Sequence, residues 1–255
     1  MILDDIVAAS QKRACLIDAS VKKEAELTDH RPKSLLRAVL GCKGDKNAVI
    51  AEIKYKTPSD STINSSRTPG ELSGIYERAG ACAVSVLTEP YYFAGSLENI
   101  KEAKKAGSLP VLRKDFIVSE MQIYETYAAG ADSALLISGV LDKKLFGFIS
   151  LCRSFQIEPL VEVRTKEDAE NAIKSGARLA GINNRNLSDM SVDISKTKEI
   201  SKMLLDCGIT VISESGIKTP SDIRSLKNYC DGFLIGTSLM KAQNPKEMLE
   251  GFVFA

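Results

Sequence analysis

Residues 178–187, RLAGINNRNL, change character halfway: Leu179, Ala180, Gly181 and Ile182 are apolar or small, and Asn183, Asn184, Arg185 and Asn186 follow without a spacer. A short apolar run without polar alternation is the pattern of a strand buried on both faces, and such strands belong to parallel sheets. Polar side chains at its exit then stand at the carboxyl end of a strand, where parallel α/β folds place their chemistry.

Seven further runs share the apolar pattern: AVIAEI from Ala48, ACAVSVL from Ala81, LPVL from Leu109, DSALLI from Asp132, EPLVEV from Glu158, ITVI from Ile209 and GFLI from Gly232. Their starts recur roughly every 20 to 35 residues, with helix-patterned stretches such as GELSGIYERAG, LENIKEAKKAG, KEDAENAIKSG and PSDIRSLKNY between them. Gly80, Gly107, Gly130 and Gly176 stand where helix C-terminal caps are expected. Eight such units predict an α/β fold, a closed (β/α)8 TIM barrel. An open doubly wound sheet is the alternative, but no glycine-rich dinucleotide fingerprint follows the first strand.

The chain, 1–255, is expected to form one barrel domain, a length such barrels commonly reach. Residues 1–46 fall outside the βα rhythm. ILDDIVAASQKRACLIDA and SLLRAVL read as helices of an N-terminal extension packed on the barrel and able to cover one end.

Thirty-four basic and 33 acidic side chains leave a formal charge of +1, so no overall field exists to hold a nucleic acid or an anionic membrane. Asp4 and Asp5 stand where a secretory signal needs positive charge, and no apolar run approaches the ~20 residues of a membrane span. A cytoplasmic location is expected. Cys15, Cys42, Cys82, Cys152, Cys207 and Cys230 form no C-x-x-C pair and are expected to be reduced structural thiols. His30 is the only histidine, which argues against a His-based metal site and a serine-type triad. Acid–base chemistry here falls to lysines and carboxylates.

Such groups gather at the strand ends. Glu52 and Lys54 lie two apart, on one face of the first strand; the third runs into Lys114-Asp115-Phe116. Glu162 sits inside PLVEV, where an ionisable group must find a cation or shift its pKa. The sixth strand ends in Asn183 and Arg185, the seventh in Glu214. Ser215-Gly216 and Gly236-Thr237 follow strands seven and eight, the positions at which barrels commonly bind phosphate through backbone N–H groups. A lysine, carboxylates and a phosphate cradle around one mouth point to carbon chemistry on a sugar phosphate.

With AVIAEIKYKTPSD, SVLTEPYYFAGS, PVLRKDFIVSEMQI, ADSALLI, PLVEV, GINNRNL, SESGI and LIGTSLM in order between about Arg31 and Met240, the chain resembles the indole-3-glycerol phosphate synthase family. The resemblance implies conversion of 1-(2-carboxyphenylamino)-1-deoxyribulose 5-phosphate into indole-3-glycerol phosphate, with loss of carbon dioxide and water and without metal or cofactor. It implies that Lys114 is the general acid and Glu162 the base, with Glu52 and Lys54 completing the charged cluster. Thr57, Pro58, Phe93, Phe116, Asn183, Arg185, Leu187, Glu214, Ser215, Gly216, Gly236 and Thr237 would bind the substrate, Phe93 and Phe116 at its aromatic ring. Asn184 would point away and shape the turn. Thr57 stands where the family usually has serine, and DSTINSSRT lacks the glycine often found there.

The small-molecule sugar phosphate is the expected partner, and a monomer is expected, free to associate with other tryptophan-pathway enzymes. Three alternatives stay open at this point: a barrel like phosphoribosylanthranilate isomerase, a Schiff-base aldolase, and a non-catalytic sugar-phosphate-binding barrel.

Overall fold

Each apolar run becomes one strand in a computed structural model, which describes all residues except 1, 43, 45, 59–62, 64, 65, 187 and 188. The strands are β1 (Ala48–Ile53), β2 (Ala83–Leu87), β3 (Val111–Lys114), β4 (Ser133–Ile137), β5 (Leu160–Val163), β6 (Leu179–Asn183), β7 (Thr210–Glu214) and β8 (Gly232–Ile235). They close a ring in chain order, β8 pairing with β1, and every pair is parallel. The expected closed barrel is therefore present and the open sheet is not.

Alternation along each strand separates two apolar layers. Ile50, Leu112, Leu135, Leu160, Leu179, Ile212 and Leu234 fill the interior. Val49, Ala51, Val84, Val86, Val161 and Val211 face outward and pack under the surrounding helices. Three of those helices begin on a threonine with a carboxylate three residues on, Thr68 with Glu71, Thr165 with Asp168 and Thr219 with Asp222, each closing a reciprocal cap on otherwise unpaired N–H groups. At the other ends Gly80, Gly130 and Gly176 take positive φ, whereas Gly107 ends its helix in extended backbone. A side chain at Gly107 would instead press on Ser73 and Glu77.

The N-terminal extension holds three helices, α1 (Ile2–Ala14), α2 (Ser20–Leu27) and α3 (Leu35–Gly41). The sequence reading anticipates α1 and α3 but not α2, whose eight residues bury only Val21 and Ala25 and carry no side-chain N-cap. It forms because that narrow stripe packs on the helix Met121–Ala128. α3 packs on β1 and β2, and its Leu35 and Val39 join the interior cluster with Ala48, Cys82 and Ala83 at the strand starts. α1 reaches the opposite end, where Arg13 binds Asp115 at 2.6 Å. His30 fixes the segment between α2 and α3 through the carbonyl of Ala131 at 2.9 Å and the Tyr127 ring. Among the described residues no helix is long and apolar enough to cross a membrane.

Candidate active site

A cavity of about 340 Å³ opens at the carboxyl ends of the strands. It brings together Glu52, Lys54, Thr57, Pro58, Phe93, Lys114, Phe116, Glu162, Asn183, Arg185, Glu214, Ser215, Gly216, Gly236 and Thr237, all anticipated from the sequence. Leu187, the remaining anticipated residue, lies outside the described residues, as does most of DSTINSSRT.

The β period decides which part of RKDF enters the cavity. Lys114 points in, while Arg113 and Asp115 point out into a buried polar cluster. There the Arg113 guanidinium donates to Asp115 at 2.9 Å and to the Gln122 carbonyl at 2.8 Å, and the Thr88 hydroxyl donates to Asp115 at 2.7 Å. Asp115 also receives Arg13 of α1 and the backbone N–H of Phe116. Burial raises the Asp115 pKa, but Arg113 and Arg13 outweigh it and hold the carboxyl below its ordinary value. This clamp fixes the strand end on which Lys114 is mounted, and nothing in the sequence pattern announces it beyond an arginine in an apolar strand.

Inside the mouth the charges form two groups. Lys54 Nζ lies 2.6 Å from Glu52 Oε1. Lys114 Nζ donates to Glu162 Oε2 at 3.3 Å and to Glu214 Oε2 at 3.1 Å. The side chains of Glu162 and Glu214 are only 6% and 1% exposed, so both ion pairs act in a medium far less screening than water. Burial alone lowers the pKa of Lys114; the fields of Glu214, Glu162 and Glu52 overcome it and raise the ammonium above its ordinary value. Glu214 moves the other way for a carboxylate, pushed up to about 7 because burial and the fields of Glu162 and Glu52 outweigh Lys114.

Two glycines make room for these carboxylates. A Cβ at Gly181 would overlap the Glu214 side chain, and one at Gly236 would overlap Glu52. Gly236, read from sequence as part of a phosphate cradle, thus also clears space for Glu52.

The polar exit of β6 divides by direction. Asn183 faces the cavity and accepts the Arg185 backbone N–H at 2.9 Å. The half-buried Arg185 donates from Nη1 to the Met190 carbonyl at 3.1 Å, which steadies its guanidinium over the mouth. Asn184 turns away. Its Nδ2 donates to the Ser213 hydroxyl at 3.1 Å and the Ser215 carbonyl at 3.0 Å, and its Oδ1 accepts from the Thr197 N–H and hydroxyl. Asn184 therefore ties β6, β7 and the helix Ser195–Asp206 together behind the cavity.

Ser215 and Gly216 both have positive φ, 67° and 87°, which curls the chain after β7 around the opening. Ser238, which follows Gly236 and Thr237 at the end of β8, donates to the Ile217 carbonyl at 2.7 Å and links the loops after β7 and β8. On the opposite wall the Phe93 and Phe116 rings stack with centroids 6.1 Å apart. Phe93 is positioned by Glu89, whose carboxylate caps the N–H groups of Tyr91, Tyr92 and Phe93. A curled loop of positive φ at one side, an aromatic wall at the other and a lysine between two glutamates beneath suit an elongated molecule with an aromatic end.

The indole-3-glycerol phosphate synthase family model matches residues 3–252, so the likeness also takes in α1 and α2, which precede the motifs that carry it in the sequence. The chain is 45% identical over 235 residues to an indole-3-glycerol phosphate synthase of Aquifex aeolicus, covering 90% of each. It is 41% identical to that of Carboxydothermus hydrogenoformans, covering 90% of this chain and 88% of the relative. The enzyme of the same description from Lacticaseibacillus casei is 38% identical and is spanned over 98% of its length. Among solved structures, a thiamine phosphate pyrophosphorylase from Pyrococcus furiosus superposes with a TM-score of 0.61 at 17% identity, covering 82% of this chain and 94% of its own, a likeness of fold.

Proposed function

The chain belongs to the indole-3-glycerol phosphate synthase family, and from this premise we propose that Lys114 is the general acid and Glu162 the base of a ring closure carried out without metal or cofactor. The substrate is 1-(2-carboxyphenylamino)-1-deoxyribulose 5-phosphate and the products are indole-3-glycerol phosphate, carbon dioxide and water. The single observation that carries the assignment is the Lys114 ammonium held between Glu162 and Glu214 at the centre of the mouth. A lysine that forms a Schiff base must be neutral, which requires a lowered pKa. Lys114 is shifted upward instead, so it carries its proton as an ammonium.

The aryl carbon that bears the carboxylate attacks the ketose carbonyl, and the oxygen takes a proton from Lys114. Carbon dioxide leaves and its bonding pair restores the ring. Loss of the hydroxyl as water, with proton removal by Glu162, completes the indole. Lys54 and Glu52 stand beside this path and can share proton transfer. Arg185 and Asn183 orient the carboxylate and reacting hydroxyl, Phe93 and Phe116 bind the aromatic ring, and the loops bearing Ser215, Gly216, Gly236 and Thr237 hold the phosphate.

The test is direct because the chain contains no tryptophan and its own fluorescence background is small. Incubation of the purified protein with the carboxyphenylamino substrate should produce indole fluorescence. Substrate that binds and is never turned over would leave a sugar-phosphate-binding barrel.

A further inference from the structure

Glu214 is more deeply buried than a substrate contact needs to be. Its side chain is 1% exposed, Oε2 is engaged by Lys114, and Oε1 is buried without a hydrogen-bond partner among the described residues. Gly181 on the neighbouring strand leaves the space it occupies. Among the described residues one cation, Lys114, faces Glu214 from β3, against Glu162 from β5 and Glu52 from β1. Lys54 is taken by Glu52, and the field of Arg185 reaches Glu52 rather than Glu214. A full negative charge on a carboxylate with one oxygen unsolvated in that company is costly, and a proton on Oε2, the oxygen that faces Lys114, removes the cost.

The reaction needs such a proton. Ring closure puts one proton on the ketose oxygen, departure of water requires a second, and the base takes back one. Loss of the carboxylate as carbon dioxide therefore leaves each turnover one proton short. Resting on the assignment of Lys114 as acid, we propose that Glu214 is a positioning residue that stores this proton and returns it to Lys114 between the two donations. Lys114 N–H breaks as the ketose O–H forms; Glu214 O–H then breaks as Lys114 N–H re-forms across 3.1 Å. Lys114 donates again to the departing hydroxyl while Glu162 accepts the substrate proton, and Glu162 passes that proton to Lys114 across 3.3 Å. One solvent proton reloads Glu214 after the product is made. Nothing in the cycle requires an oxidant or a second substrate.

The experiment follows carbon dioxide release and a pH-indicator dye in one stopped-flow single turnover, in dilute buffer and before the released gas hydrates. In the wild-type enzyme carbon dioxide should lead and solvent proton uptake should lag. Glu214→Gln should take its proton from solvent in step with carbon dioxide and lose about 10²-fold in kcat. Its KM should change little, it should lose the wild-type fall in kcat as pH rises through neutrality, and Glu214→Asp should recover part of the rate. Dye and carbon dioxide changing together in the wild type overturn the store, whether or not the variant folds. So does a Glu214→Gln enzyme with the wild-type kcat and pH profile. Lys114→Met in the same apparatus separates the two ideas. If it releases carbon dioxide at the wild-type rate, the acid assignment itself falls. If it is slow and Glu214→Gln is not, only the store falls.

Discussion

Replacing Lys114 by methionine keeps most of the side-chain volume and removes the one cation that Glu162 and Glu214 share. Those carboxylates are 6% and 1% exposed, so little water is at hand to replace the ammonium. Breaking a buried ion pair from one side leaves an uncompensated charge and costs about 3–5 kcal/mol. The cost should depend on pH. Burial and neighbouring carboxylates already push Glu214 up to about 7 with the lysine present, and without the lysine its pKa rises further. A carboxyl raised above its unfolded value is harmless below that value and destabilises progressively as pH climbs through its folded one. Lys114 itself, with its pKa raised, stays charged in the wild type throughout this window. The difference between wild type and Lys114→Met in urea unfolding should therefore be about 3–5 kcal/mol at pH 8 and shrink to about 1–2 kcal/mol at pH 5, where only hydrogen bonds are lost. A difference below about 1 kcal/mol at pH 8, or an equal difference at both pH values, would refute the reasoning.

Other perturbations probe the frame around the lysine. Asn184→Ala removes four hydrogen bonds behind the mouth and should cost about 2–3 kcal/mol in unfolding free energy, with KM rising more than kcat falls because the Ser215 loop loses its anchor. Gly236→Ala should depress kcat by displacing the Glu52 carboxylate from Lys54; a change confined to KM would assign that glycine to phosphate alone. Activity should survive exhaustive chelation with EDTA, and His30→Ala should keep its turnover while losing about 1 kcal/mol of stability through the bond to Ala131.

The eight-strand rhythm was legible because each buried strand is a compact apolar run, and the strand-end residues were legible because a parallel barrel sends them to one mouth. What depends on two distant segments meeting was not. Gly181 carries no signal in sequence and Gly236 reads there only as part of a phosphate cradle; the closed ring shows that they clear space for Glu214 and Glu52. The Arg13–Asp115–Arg113 clamp joins positions about a hundred residues apart, and α2 exists by packing rather than by propensity. The family resemblance implies that Asn184 turns away from the cavity, but its four hydrogen bonds reach elements whose register no local pattern reveals.

The division of labour between Lys114 and Glu162 meets its most direct test in single-turnover kinetics that follow carbon dioxide release and indole fluorescence separately. Lys114→Met should slow carbon dioxide release by at least about 10²-fold, because the proton that permits ring closure is gone. Glu162→Gln should release carbon dioxide and then delay the rise of indole fluorescence, as a ring-closed species waits for proton removal. Carbon dioxide released by Lys114→Met at the wild-type rate, or indole formed by Glu162→Gln at the wild-type rate, would contradict the assignment.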